Sequence, residues 1–241
     1  MNVNGSSLAQ GLQFYMTADL MDTNLVTGDL GLVNGTVLPQ DSAKGPALFF
    51  NNSIANYIQF PNISLITQPF SVFARIWNPA NVAGTESILS FGGSGGSGRG
   101  WTIRTQGTGI VLTFGGVANY SLSPTLPNTH FWDIAVSVTA SAITPCVNGE
   151  LSSSTACGTV TTPASTPLVI GQAHNGAAYL QPASVSRTMI ASIWNRALSN
   201  DELVAMCIDP YSVLDSGSPT GAGGVPAPFA RFDGNPFAGV S

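Results

Sequence analysis

The chain has 241 residues, of which 44% are hydrophobic and only 8% are charged, and its formal net charge at pH 7 is −5. Soluble domains usually carry about 25% charged residues, whereas Gly, Ser, Thr, Asn and Pro fill that share here and suit many short strands joined by turns. Lys44 is the only lysine and the arginines are scattered, which argues against a nucleic-acid partner because such partners need clustered cations. No apolar run approaches the roughly 20 residues of a membrane-spanning helix, so we expect no membrane partner.

Residues 1–11 are polar and show no periodicity, which predicts a flexible N-terminal arm. The opening stretch MNVNGSSLAQ has neither the basic start nor the apolar run of a secretory signal. We therefore expect synthesis and folding in a cytoplasm.

Strand-like runs of alternating or continuous apolar residues follow one another at short intervals, separated by turn residues. They are LQFYM (12–16), ALFF (47–50), NYIQF (56–60), FSVFARIW (70–77), SILSF (87–91), WTIRT (101–105), IVLTF (110–114), FWDIAVSV (131–138), AITPCV (142–147), PLVIG (167–171) and VSRTMIASIW (185–194). The spacing predicts an all-β chain, with one sandwich domain over residues 12–214. Residues expected to point into its core are Val72, Ala74, Ile76, Ile134, Val136, Val138, Ile190 and Ser192.

The VNGE step at residues 147–150 predicts a hairpin, since Asn148 and Gly149 both tolerate the positive φ of a type I′ turn. In this register Cys146 faces Leu151, and Cys157 lies about 20 Å further along at strand rise. A disulfide needs Cα atoms within about 7 Å. We therefore expect Cys146, Cys157 and Cys207 to be unpaired.

One helix is predicted, within NRALSNDELVAMCIDP (195–210). Ser199 stands three residues before Glu202, which is the spacing of a capping box, and Leu203 and Met206 recur at helical spacing. We expect this helix, at residues 200–208, to cover an edge or an open end of one sheet. Residues 215–241 are rich in Gly and Pro and predict a tail, not a second domain.

Five pieces in order resemble the laminin-G-like, or concanavalin A-like, jelly-roll family: GPALFFNNSIANYIQFP leading into FSVFARIWNPANVAGTESILSFGG, then HFWDIAVSV, VNGEL, PLVIGQ and ASIWNRALSNDELVAM. The resemblance covers roughly residues 12–210 and implies a two-sheet antiparallel β-sandwich with one short C-terminal helix. Cys146 departs from the family, which usually has Tyr or another bulky residue there. The resemblance also implies that the VNGEL hairpin is a structural element and not a site.

The family includes lectins, adhesion modules, glycosidases and structural domains, so fold alone does not give function. Glycoside hydrolysis needs two carboxylates facing one sugar, and hydrolases resembling this family place acids two residues apart on one strand. The only glutamates, Glu86, Glu150 and Glu202, have no acid at that spacing. Neither histidine lies in a Ser or Cys motif. We therefore expect a protein that is not an enzyme and has no catalytic residues.

The family's most frequent ligand is calcium, bound by loop oxygens. The most oxygen-rich stretch is ADLMDTNLVTGDLGLVNG, in which Asp19, Asp22, Asp29 and Asn34 are weak calcium candidates beside the alternative of a solvated loop with Asx turns. No other cofactor is expected. Trp101, beside the glycine-rich stretch GGSGGSGRG, is the one candidate for an exposed ring that stacks on a glycan.

Two functions fit these features. The first is a structural virion protein of a bacteriophage, a capsid decoration or a spike or fibre component, because WNRALSNDELVAMCIDPYSVL resembles the closing segment of sandwich modules in phage structural proteins. Its expected partners are the major capsid protein or another virion protein and further copies of itself, as a homotrimer, with the tail residues Phe229, Arg231, Phe232 and Phe237 making contact. The alternative is a lectin-like adhesion module that binds a host glycan. The first function predicts that the protein is located in the virion.

Overall fold

A computed structural model describes residues 5–42, 45–51, 53–61, 63, 67–78, 85–92, 100–107, 109–115, 117–123, 130–160, 167–174, 179–180 and 187–215. Within these ranges the chain is mainly β-strand, and all strand pairs are antiparallel. No helix in the described part is long and apolar enough to cross a bilayer.

Each strand-like run of the sequence has a counterpart among the observed strands. The strands are β1 Leu12–Thr17, β2 Leu32–Asn34, β3 Leu38–Ser42, β4 Gly45–Phe49, β5 Tyr57–Phe60, β6 Phe70–Asn78, β7 Ser87–Gly92, β8 Gly100–Gln106, β9 Gly109–Phe114, β10 Ala118–Ser123, β11 His130–Val138, β12 Ala142–Val147, β13 Glu150–Leu151, β14 Thr155–Ala156, β15 Leu168–Ile170, β16 Ala173–His174, β17 Tyr179–Leu180 and β18 Arg187–Trp194. The helices are α1 Gly5–Ala9, α2 Asn200–Ile208 and α3 Ser212–Asp215, and a 3₁₀ turn spans Ala18–Leu20.

Sixteen of these strands form two sheets that pack face to face as a β-sandwich, and β16 and β17 pair in a separate two-stranded sheet. The first sheet has nine strands in the order β13-β12-β11-β6-β18-β4-β3, with β1 also paired to β18 and β14 to β12. The second has seven strands in the order β10-β9-β8-β7-β15-β5-β2. The two-sheet antiparallel sandwich expected from the sequence is therefore confirmed.

The main core lies between the sheets and contains the aromatic side chains Phe70, Phe91, Trp101 and Phe114. The inward-facing residues predicted on β6 and β11 all belong to it: Val72, Ala74, Ile76, Ile134, Val136 and Val138.

The prediction that Ile190 and Ser192 of β18 face the main core was wrong. Ala191 and Ile193 point into the main core, whereas Ile190 packs in a second cluster on the outer face of the first sheet. Ser192 is buried with Ile190 on that outer face, where it pairs with Tyr15 of β1. Both faces of β18 are apolar because both are covered, so alternation could not indicate which one points inward.

Helices cover this second cluster. Its strand residues alternate with those of the main core, and the helices contribute Leu8, Leu203 and Met206. The helix α2 begins and ends as predicted, and its capping box is present at Ser199 and Glu202. It packs on the outer face of β11 and β12. Its contacts extend to β13, the edge strand of this sheet, and Leu203 and Met206 are buried, as expected.

The predicted N-terminal arm is not free along its described part. Helix α1 buries Leu8, which is 1% exposed, and the Leu8 carbonyl accepts a hydrogen bond from Trp194 Nε1 at 2.6 Å. Arg196 Nε donates to the Gln10 carbonyl at 2.7 Å. One apolar residue and two carbonyls are enough to fix this short segment on the outer face, a signal too small to appear as a periodicity.

The register of the VNGEL hairpin is confirmed. Cys146 pairs with Leu151, and Val147 pairs with Glu150, while Asn148 and Gly149 have φ of 53° and 85°. The three cysteines are free thiols. The sulfur atoms of Cys146 and Cys207 nevertheless lie 3.8 Å apart, because α2 places the last turn of the helix on β12.

The Arg196–Glu202 pair makes the stability of the fold sensitive to acid. Arg196 donates to both carboxylate oxygens of Glu202 at 2.7 and 2.8 Å, and these bonds lower the pKa of Glu202 to about 2 against the opposing effect of burial. The unfolded chain binds this proton near the ordinary pKa of 4.5. The stabilisation is therefore complete above about pH 4.5 and is lost as the pH falls toward 2.

We expect the free energy of unfolding, measured by urea titration, to fall more steeply with acid in the wild type than in Glu202→Gln. Ser199→Ala is the matched control, because it removes a cap worth about 1 kcal/mol and leaves the carboxylate paired. Its stability curve should run parallel to that of the wild type. Parallel curves for wild type and Glu202→Gln would contradict the role assigned to the carboxylate.

Candidate functional site

An open cleft lies where β10, at the edge of the second sheet, faces β11 and the β12–β13 hairpin of the first. Its volume is about 390 Å³. The lining residues are Leu122, Ser123, Trp132, Val147, Asn148, Glu150 and Ser152. The floor is apolar, because Leu122 and Trp132 belong to the main core and Val147 packs against it. The rim is polar and is supplied mainly by the hairpin.

Trp132 lines this cleft and also carries a buried hydrogen-bond donor. Trp132 faces inward from β11 and is 6% exposed, and its Nε1 has no hydrogen-bond partner among the described residues. A buried unpaired N–H costs about 1–3 kcal/mol.

Asn148 is held in a single orientation at the tip of the hairpin. Its backbone N–H donates to the Asp133 carbonyl at 2.8 Å, and its Oδ1 accepts from the Asp133 N–H at 2.9 Å. These two bonds fix which end of the side-chain amide is the oxygen. The Nδ2 donors remain available to a ligand, because the two hydrogen bonds use the backbone N–H and the Oδ1 of Asn148.

Glu150 supplies the only charge among the described residues that line the cleft. It is exposed at the start of β13, next to the hydroxyl-bearing Ser152. The cleft therefore combines a carboxylate acceptor, the side-chain amide donors of Asn148 and an apolar floor. This mixture suits a neutral polyhydroxylated ligand, whose hydroxyls both donate and accept and whose carbon face is apolar.

Trp101 cannot act as the predicted glycan-stacking ring. It is 0% exposed and stacks between Phe70, at 5.2 Å between ring centroids, and Phe91, at 6.3 Å. Strand β8 lies inside the second sheet, and Trp101 points inward with Ile103. The neighbouring glycine-rich residues suggested exposure, but the phase of β8 buries the ring.

The calcium candidates do not fit a metal site. Asp22 accepts from Thr23 Oγ1 at 3.3 Å and Asp29 from Thr27 Oγ1 at 2.8 Å, so both serve their own loop. The side chain of Asn34 donates to the Leu32 carbonyl, and Asp19 is exposed on the 3₁₀ turn. Across the described ranges no three His, Cys, Asp or Glu side chains come together as metal ligands.

Asn24 organises that loop in place of a metal. It is 0% exposed, and its Oδ1 accepts from the backbone N–H groups of Tyr15 and Val26 at 3.2 and 3.1 Å. Its Nδ2 donates to the Gln13 carbonyl and to Thr27 Oγ1. One buried amide thus satisfies the polar groups of the loop, which is the Asx-turn alternative considered from the sequence.

The tail residues Phe229, Arg231, Phe232 and Phe237 lie outside the described residues, as does the rest of 216–241.

Sequence reasoning assigned the hairpin to structure alone and missed its part in the cleft. A signal was present: Glu150 and Ser152 are polar residues directly after a tight turn, and Trp132 is an indole in an apolar run. Only the pairing of β11 with β12 and the approach of β10 show that these residues meet.

The model of the concanavalin A-like lectin/glucanases superfamily (Laminin_G_3) matches residues 51–204. No curated protein matches the chain.

Three solved structures show the same fold. The binding domain of Paraclostridial Mosquitocidal Protein 1 has a TM-score of 0.66 at 16% identity, over 85% of this chain and 53% of that domain. Domain 4 of AbnA, a GH43 extracellular arabinanase from Geobacillus stearothermophilus in complex with arabinotriose, has a TM-score of 0.59 at 15% identity, over 81% of this chain and 98% of that domain. The binding domain of botulinum neurotoxin DC in complex with SialylT has a TM-score of 0.63 at 10% identity, over 83% of this chain and 52% of that domain. The chain thus spans about half the length of the two toxin domains and nearly all of the arabinanase domain.

Proposed function

The chain belongs to the concanavalin A-like lectin/glucanase superfamily, and from this premise we propose that it is a non-catalytic module that binds a neutral glycan in the cleft between β10 and the β12–β13 hairpin. The observation that carries the proposal is a cleft with an apolar floor, to which Trp132 contributes, and with a carboxylate and an oriented amide at its rim.

The similar structures support binding of a saccharide and leave its class open. The arabinanase domain is in complex with arabinotriose, and the neurotoxin domain is in complex with SialylT. In this chain the cleft-lining residues that the structure describes carry one negative charge and no positive charge. Glu150 would repel a sialic acid carboxylate, whereas it would accept hydrogen bonds from neutral sugar hydroxyls. A neutral oligosaccharide is therefore the ligand that the cleft favours.

A binding role agrees with the positions of the glutamates. Glu202 is engaged in the capping box and with Arg196, and Glu86 is 3% exposed at the entry to β7. Glu150 is the one glutamate at the cleft, and a glycosidase would need a second carboxylate facing the same bond. The cleft's other lining residues are polar but neutral, or apolar.

The test is a glycan array that presents neutral pentose and hexose oligosaccharides beside sialylated ones, followed by calorimetry on the best ligand. We expect binding to neutral members. Glu150→Gln should weaken it by on the order of tenfold or more, because a hydrogen bond to a charged acceptor is lost.

Asp41→Asn is the matched control, since it removes an exposed carboxylate from β3, at the opposite edge of the first sheet. It should bind like the wild type. Equal affinities of Glu150→Gln and Asp41→Asn would show that the glycan binds elsewhere. A preference for sialylated glycans would contradict the neutral-ligand assignment, and an array with no binding at all would contradict the function.

Attachment to a bacteriophage particle is a second candidate, favoured by the closing segment at residues 194–214, whose helix α2 and capping box support the resemblance noted in the sequence. On this proposal the module sits on the virion as a homotrimer, contacts the capsid protein or another virion protein, and presents its cleft to a host glycan. The tail at 215–241 is the proposed anchor. Deleting it should leave the sandwich folded and abolish co-sedimentation with particles; unchanged co-sedimentation would exclude the tail as the anchor.

A further inference from the structure

Two of the three thiols are neighbours although they are 61 positions apart in the chain. Cys146 stands on β12 and is 0% exposed, and Cys207 stands in the last turn of α2 and is 6% exposed. Their sulfur atoms are 3.8 Å apart. Cys157 lies apart from them, with its sulfur 3.7 Å from Gln68 Nε2.

The pair is chemically asymmetric. Cys207 donates the shared hydrogen bond, which lowers the pKa of Cys146 because it stabilises a thiolate there. The same hydrogen bond, together with burial, raises the pKa of Cys207. The thiolate is the reactive form in disulfide exchange, so Cys146 is the better nucleophile of the two.

We propose that Cys146 and Cys207 form a reversible disulfide that fastens α2 to β12 when the protein meets a small-molecule disulfide oxidant. One protein thiolate attacks a sulfur of the oxidant, which forms a mixed disulfide and releases one reduced thiol. The second protein thiolate then attacks the protein sulfur of that mixed disulfide and releases the other. The two protons of the protein thiols end on the two released thiols, so two protein thiols and one disulfide become one protein disulfide and two thiols.

Formation of the disulfide requires only a small movement of the two sulfur atoms. The sulfurs must close from 3.8 Å to the bond length of about 2.05 Å. The other polar contacts of the Cys207 sulfur are weak, with carbonyl oxygens of Asp133 at 3.7 Å and of Cys146 at 3.8 Å. Little is lost when the sulfurs move toward each other.

The helix offers a route by which an oxidant reaches the pair. It has only nine residues, and its last residue, Ile208, is 75% exposed. Short helices open locally at low cost compared with global unfolding. Opening of the last turn exposes both thiols, and closure of the disulfide then blocks that opening. Since the disulfide would join segments 61 positions apart, it also restricts the unfolded chain strongly.

The proposal is independent of glycan binding and is tested on the full chain. The reduced protein is equilibrated with mixtures of oxidised and reduced glutathione, digested without reductant and mapped by mass spectrometry. We expect the intact protein to lose two hydrogens and the map to contain a Cys146–Cys207 peptide pair. The thermal midpoint should rise by roughly 5–15 °C, and amide exchange in α2 should slow by on the order of tenfold or more.

Cys157→Ser is the matched control and should form the disulfide like the wild type, whereas Cys146→Ser and Cys207→Ser should form none. The wild-type peptide map decides the question even where a serine variant folds poorly. Two reduced thiols, or two separate glutathione adducts, in the most oxidising mixture would overturn the proposal. A disulfide that formed but lowered the thermal midpoint would overturn the fastening of α2.

Discussion

Replacing Trp101 with Ala should lower the free energy of unfolding by about 3–5 kcal/mol, the usual cost of removing a large buried ring. The ring is fully buried, and it stacks on Phe70 of the first sheet and on Phe91 of the second. The substitution therefore opens a cavity where the two sheets meet, lined by neighbours on rigid strands that can collapse only in part. The measurement is equilibrium unfolding in guanidinium chloride, with the denaturant slope checked against that of the wild type.

Trp101→Phe distinguishes the contribution of the aromatic ring to stability from that of the indole N–H. The Trp101 Nε1 is buried without a partner among the described residues, so removing it recovers a desolvation cost of about 1–3 kcal/mol. Phe keeps one ring between Phe70 and Phe91. We expect Trp101→Phe to lose less than half of what Trp101→Ala loses. A near-neutral Trp101→Ala would mean that Trp101 is exposed after all, as the sequence first suggested.

Local signals in the sequence were sufficient for the elements that depend on neighbouring residues. The turn at Asn148 and Gly149 follows from two residues that tolerate positive φ, and it fixes the hairpin register by itself. The start of α2 follows from the spacing of Ser199 and Glu202. Alternation along β11 identified the inward face because its outward positions include Asp133 and Ser137. In each case the residues that determine the element lie close together in the sequence.

Alternation failed where a strand is covered on both faces. Strand β18 carries apolar residues on both faces because the core lies on one side and helices lie on the other. The sequence gives no second period to separate them. Trp101 was misjudged for a related reason, since the composition of the adjacent stretch says nothing about which face of β8 the ring occupies.

The candidate site and the thiol pair depend on long-range register and lay beyond sequence reasoning. The cleft takes residues from β10, β11 and the hairpin, and none of them is unusual for its strand. Cys146 and Cys207 meet only because α2 crosses the outer face above β12. Arg75 and Asp133 face each other only because β6 and β11 pair in one particular register.

That last pair should produce the other large effect: Asp133→Ala should lower the free energy of unfolding by about 3–5 kcal/mol. Arg75 Nε and Nη2 donate to the two carboxylate oxygens of Asp133 at 2.6 and 2.9 Å, and the side chains are only 11% and 10% exposed. The pair lies on the outer face of the first sheet, which the helices cover. Removing the carboxylate leaves the Arg75 charge unpaired in a position that water reaches poorly. Arg75→Ala should leave the Asp133 charge unpaired in the same way.

The double variant Arg75→Met/Asp133→Leu is the matched control, because it replaces both charges with apolar groups of similar length and leaves neither alone. It should lose less stability than either single variant, since a buried ion pair contributes little over well-packed apolar residues. A double-mutant cycle with Arg75→Ala and Asp133→Ala measures the coupling energy between the two side chains, and additive losses of stability would contradict that coupling.

The bonds between Asp133 and Asn148 use the backbone of Asp133, so glycan affinity should survive in every variant that still folds. Loss of binding in a folded Asp133→Ala would show that the ion pair, and not the hairpin backbone alone, positions the rim of the cleft.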